Sequence, residues 1–141
     1  MTHDATRTAP HAWRGRFDAL VSARMRTPFA WGEHDCCLWA ADCVRTITGT
    51  DPAADVRGTY QTALEAARVL QATGGLAACG QRAGAPIAPL CARVGDVGIV
   101  NDGQRDALAV CSGDVWLVVT ATGLGALPIS AAWAAWRVAH G

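Results

Sequence analysis

A chain of 141 residues and 14.7 kDa is the size of one domain, and at 51% hydrophobic and 17% charged residues it can bury a core, which excludes intrinsic disorder over most of it. Twelve basic residues balance twelve acidic ones at a pI near 6.9, so the basic excess of a phosphate-binding nucleic-acid protein is missing and nucleic acid is not an expected partner. Every basic residue is arginine, which excludes Schiff-base chemistry on lysine and a P-loop lysine.

Residues 1–10 read as a flexible N-terminal tail, polar and without the apolar run of a secretory signal, and 11–141 as a single domain. The first helix carries Trp13, Phe17, Leu20, Val21 and Met25 at spacings of three and four. Arg14, Arg16, Arg24 and Arg26 read as its solvated face. Pro28 ends it. A turning segment, Phe29 to Asp35, leads into a second helix with Asp35 as N-cap and Gly49 as C-cap. On that helix Cys36, Ala40, Cys43 and Ile47 share a stripe, with Trp39 beside it. Pro52 to Gly58 reads as a loop, Thr59 to Ala72 as a third helix closed by Gly74 and Gly75, and Gly80 to Pro89 as a surface connection.

The pattern then changes from helical to extended. Val94–Val100, Ala107–Cys111 and Val115–Ala121 read as three short strands joined by the turns Asn101-Asp102-Gly103 and Ser112-Gly113-Asp114, an antiparallel meander. Ser130 then reads as the N-cap of a closing helix carrying Trp133, Trp136 and Val138. Helices first and strands second give the fold class α+β: N-terminal helices packed on a small antiparallel sheet. Arg or Asp interrupts every long apolar stretch, so no membrane span is expected.

The six cysteines are Cys36, Cys37, Cys43, Cys79, Cys91 and Cys111. They contain no C-x-x-C pair, and the adjacent Cys36 and Cys37 are not expected to share a site, so neither a metal nor another cofactor is expected. Without a secretory signal they read as free thiols of a reducing compartment. Cys36 differs from the other five by opening a helix behind an N-cap. There, free backbone N–H groups and the helix dipole favour a thiolate and flank a prospective oxyanion.

The segment Thr27-Pro28-Phe29-Ala30-Trp31-Gly32, with Asp35-Cys36 opening a helix, resembles the motif around the nucleophile of NlpC-type cell-wall cysteine peptidases, a branch of the papain-like superfamily. Gly95-Asp96 followed by Val97–Val100 is similar to the first core strand of that family. Trp136-Arg137-Val138 resembles relatives encoded by tailed phages and prophages. The likeness spans about Arg16 to Val138. It implies a papain-like, NlpC-like fold with Cys36 at the nucleophile position, Asp35 as the N-cap before it, and the base histidine at the start of the strand after the Gly-Asp strand. That position is Ala107 here. The sequence departs from the family again in having Cys37, Leu38 and Trp39 after Asp-Cys, where a small residue and glycine are usual.

The four histidines are His3, His11, His34 and His140, none of them in the predicted sheet. A cysteine nucleophile without an imidazole loses its base and the proton donor to the leaving amine. Cys36 is therefore read first as a half-buried cysteine retained by the fold and second as a reactive thiolate, which His3 or His11 folding over the cleft would rescue. His34 reads as a turn residue bonding its own backbone. Asp42 is expected to pair with Arg45 or Arg57. Most of the six tryptophans are expected in the core, with one or two left as interface anchors.

The resemblance implies a structural protein of a phage, prophage or gene-transfer-agent tail tip. It would be a degenerate peptidase packed against hub, baseplate and distal tail proteins, assembled in the bacterial cytoplasm and carried in the virion. The alternative it implies is an active endopeptidase or amidase, with Cys36 as nucleophile and peptidoglycan as substrate. A thiol-rich metal-clustering protein is a third, remote reading.

Overall fold

The structure, a computed structural model, describes residues 12–139, so the tail expected over 1–10 and His3, His11 and His140 lie outside the described residues. Among the described residues four helices precede the main strands: α1 (Ala12–Arg24), α2 (Cys36–Thr48), α3 (Ala63–Thr73) and α4 (Leu76–Gln81). The strands are β1 (Ala85–Ile87), β2 (Val97–Asn101), β3 (Asp106–Cys111), β4 (Val115–Thr120), β5 (Gly123–Pro128) and β6 (Ala132–Arg137). They form one antiparallel sheet in the order β1-β6-β2-β3-β4-β5. The α+β class and the central meander are as expected, but the sheet is twice as wide as the three strands read from the sequence.

The closing helix is absent, and its residues are β6. Ala132–Arg137 pairs with β1 on one side and β2 on the other, with Ala135 opposite Ile87 and Gly98. Two ladders outweigh the helix propensity of three alanines, because strand formation follows packing and pairing more than intrinsic preference. The three-residue spacing of Trp133 and Trp136 places them on opposite faces of the strand. Trp136 is buried against the helices, whereas Trp133 is 58% exposed. Ser130 caps nothing and lies in the 3-10 turn Ile129–Ala131. The stretch expected as a surface connection from Gly80 to Pro89 contains the end of α4 and all of β1.

The core lies between the helices and one face of the sheet. Phe17 of α1, with Trp39, Val44 and Ile47 of α2, packs on Ile99, Leu108, Val110 and Trp136. Trp39 is fully buried and donates its indole N–H to the Leu117 carbonyl at 3.1 Å, so its one polar atom is satisfied. On the opposite face Trp116 is equally buried among Val100, Ala109 and Ala135. Gly98 makes room for it, since a Cβ there would enter the indole ring.

The caps of α2 fall where the sequence places them. Gly49, at φ 82°, returns its N–H to the Arg45 carbonyl and closes α2. α3 starts four residues later than expected, at Ala63, because Thr62 caps it: the Thr62 hydroxyl accepts from Glu65 N while Glu65 Oε1 accepts from Gln61 N. No residue of α3 is buried.

Arg24, expected on a solvated face, turns inward. Its Nη1 donates to Asp42 Oδ2 at 2.8 Å. Asp42 is also met by Arg57 at 2.7 Å and Arg45 at 3.4 Å, both partners the sequence proposed.

Candidate functional site

The chain between α1 and α2 is pinned to the sheet before it turns. Phe29 N donates to the Thr120 carbonyl, and Leu124 N donates to the Met25 carbonyl. Trp31-Gly32 is thereby delivered to the start of α2. Gly32 adopts φ 76°, a region costly for other residues, and a Cβ on it would collide with the Tyr60 carbonyl.

Asp35 serves as N-cap, as expected. Its Oδ1 accepts from Leu38 N at 2.9 Å, while Oδ2 accepts from Gly32 N at 3.1 Å and from the Tyr60 hydroxyl at 2.5 Å. One buried carboxylate thus fixes the preceding turn, the helix start and the loop ahead of α3. Burial and the adjacent Asp35 charge push the Tyr60 hydroxyl pKa up, so Tyr60 remains a donor.

Cys36 is the first residue of α2 and lies against β3. The Cys37 thiol and the Leu108 backbone N–H both donate to its sulfur and hold its pKa below the ordinary thiol value of 9.0, against burial and the Asp35 charge. Ala107, the position at which the resemblance expects the base, lines the same cavity as Cys36. At that position the cavity wall carries only a methyl group.

The cavity has a volume of about 240 Å³ and is bounded by α2, α3, α4, the loop at 52–60 and the strands around Leu108. Its walls are mostly Ala, Val and Leu. Contrary to the expectation from their adjacency, Cys36 and Cys37 both face it, and so does Cys79 of α4. Side chains of neighbouring helical residues diverge by about 100°, but the cavity is lined by both. Cys37 lies within hydrogen-bonding distance of Cys36 on one side and Cys79 on the other, which pushes its own pKa up and keeps it protonated. Cys79 is lowered to about 6, chiefly by the Cys37 thiol, with Thr73 and Arg82 contributing. No spacing rule could have joined Cys37 to Cys79. Burial raises Cys43 and Cys111 instead. Among the described residues no group of three or more His, Cys, Asp or Glu is placed to hold a metal ion.

His34 stands apart from this cavity. Its backbone pairs with Ala30, as a turn residue's would, but the ring is buried and packs edge-on to Trp39, with centroids 5.9 Å apart. Arg24 Nη1 lies 3.2 Å from Nδ1. Because a guanidinium only donates, Nδ1 accepts and Nε2 carries the proton. Burial and the Arg24 charge lower the His34 pKa, so the ring is neutral. It contributes no base to Cys36.

A family model described as "Domain of unknown function (DUF6950)" matches residues 8–138. No curated protein and no solved structure matches the chain.

Proposed function

Since the chain belongs to the DUF6950 family, whose function is not defined, we infer its role from its own site and propose a papain-like, NlpC-like domain that has lost its peptidase base. In this reading it serves as a structural protein of a phage-type tail tip, seated against hub and distal tail proteins. One observation carries the loss of catalysis. Cys36 opens a helix against β3, and among the described residues the cavity it faces is lined by Ala107 and by no histidine. Without a base or a proton donor, a cysteine hydrolase loses orders of magnitude in rate.

The tail-tip context rests on the resemblance to phage-encoded relatives. Trp133, more than half exposed on β6, supplies a ring of the kind that anchors interfaces.

The second reading, an active peptidoglycan endopeptidase or amidase, has its own supporting observation. The Leu108 N–H and the Cys37 thiol stabilise the Cys36 thiolate. Purified sacculi incubated with the wild type and with Cys36→Ala separate the two. Equal release of peptide ends by both proteins is the expected result, and release by the wild type alone overturns the structural reading in favour of the enzyme. In parallel, the chain is expected as a stoichiometric component of purified particles. Its absence from particles that contain the other tail proteins overturns the tail-tip assignment.

A further inference from the structure

The peptidase-like reading uses Cys37 only as a donor to Cys36 and leaves Cys79 without a role. We propose that Cys37 and Cys79 are a redox pair that closes to a disulfide under peroxide, joining the first turn of α2 to α4 along one wall of the cavity. This stands independently of the proposed tail-tip function.

The geometry supplies what such a pair requires. Both residues line one cavity, and each thiol is a side-chain interaction partner of the other. Neither residue is fully buried, and the open cavity admits a small oxidant, whereas Cys43 and Cys111 are sealed in the core. The two side chains come from separate helices, with the whole of α3 between them in sequence. Cys79 lies beside the Thr73 hydroxyl and near the Arg82 guanidinium, both of which favour its thiolate over its thiol, while Cys37 keeps its proton. A thiolate next to a protonated thiol is the arrangement from which peroxide oxidation proceeds to a disulfide.

The reaction has two steps. The Cys79 thiolate attacks one oxygen of hydrogen peroxide, so that the O–O bond breaks, an S–O bond forms and hydroxide leaves to take a proton from solvent. The Cys37 sulfur then attacks the Cys79 sulfur; the S–S bond forms, the S–O bond breaks, and the hydroxyl departs with the Cys37 proton as water. Both sulfurs are oxidised, and one peroxide is reduced to two waters. Cys36 is left as a free thiol without its Cys37 donor.

The test treats the full chain with stoichiometric hydrogen peroxide, quenches free thiols with iodoacetamide and maps the peptides by mass spectrometry. The monomer is expected to lose two hydrogens, to carry a Cys37–Cys79 crosslink and to recover both thiols under dithiothreitol. Cys36→Ser keeps the crosslink and makes its assignment unambiguous, because Cys37 is then the one thiol on its peptide. Cys37→Ser and Cys79→Ser each lose it. A vicinal Cys36–Cys37 disulfide, or overoxidation of Cys79 with Cys37 still free, overturns the proposal. Far-UV circular dichroism of each serine variant confirms that a lost crosslink is not a lost fold.

Discussion

At the scale of single residues, His34 and Asp35 divide what a sequence reader would give to one polar turn. Asp35 is buried but collects three donors, so it organises the helix start at little cost. His34 is buried with Nε2 unpaired among the described residues, which makes protonation unfavourable in the folded state. Its folded pKa lies below the ordinary 6.5, first through burial and then through Arg24. The unfolded chain therefore binds more protons as pH falls through 6.5, and stability contributed by neutral His34 is whole above that value and declines below it. In a Cys79→Ser background, which removes the thiol lowered to about 6, denaturant midpoints measured from pH 7.5 to 5 are expected to fall, and His34→Gln to flatten that slope. The shift of Asp51 lies below 3.8 and belongs to a separate, more acidic window. An unchanged slope in His34→Gln contradicts the neutral assignment.

At the scale of elements, Asp42 ties α1 and the loop after α2 to α2 by charge, beside the apolar packing of Phe17 on that helix. Its buried carboxylate on α2 receives Arg24 from α1 and Arg57 from the loop, and Arg57 also grips Asp51 at 2.6 Å. Removing one member of a buried pair leaves the other charges desolvated without compensation. Asp42→Asn is expected to destabilise by about 3 kcal/mol, the low end of that class because the arginines keep a quarter of their side-chain surface in water. A lowered urea midpoint with an unchanged slope is the expected signature. Much of this level was legible in the sequence. The N-cap at Asp35, the C-cap at Gly49 and the Asp42 partnership follow from local chemistry, since each is settled within one turn or by one obvious charge. The start of α3 and the identity of β6 were not, because Thr62 competes with Thr59 for the cap and Ala-rich β6 becomes a strand only through β1 and β2, whereas Gly74 closes α3 as expected.

At the scale of the whole molecule, two apolar layers flank one sheet, and the proposed role requires a face that remains free to dock. Trp133 lies on the exposed side of β6, its indole N–H satisfied by Asp106 at 3.1 Å. Trp133→Ala is expected to change stability by no more than about 0.5 kcal/mol, as for an exposed site. If that ring is the anchor, the same variant weakens retention in purified particles by roughly 30-fold, the loss of about 2 kcal/mol typical of a buried interface tryptophan. A variant that is retained like the wild type places the docking surface elsewhere.

By itself the sequence determined the α+β class, the helix caps around Cys36 and the scarcity of histidine, all of which depend on residues close in the chain or on composition. Tertiary structure alone decided that Leu108 reaches the Cys36 sulfur, that Ala107 shares its cavity, that His34 turns away to Arg24, and that Cys79 joins Cys37. Each of these pairings spans separate elements, or in the case of His34 opposite sides of a helix start. No periodicity records such proximity: it arises when burial of Trp39 and Phe17 presses α1 and α2 onto the sheet.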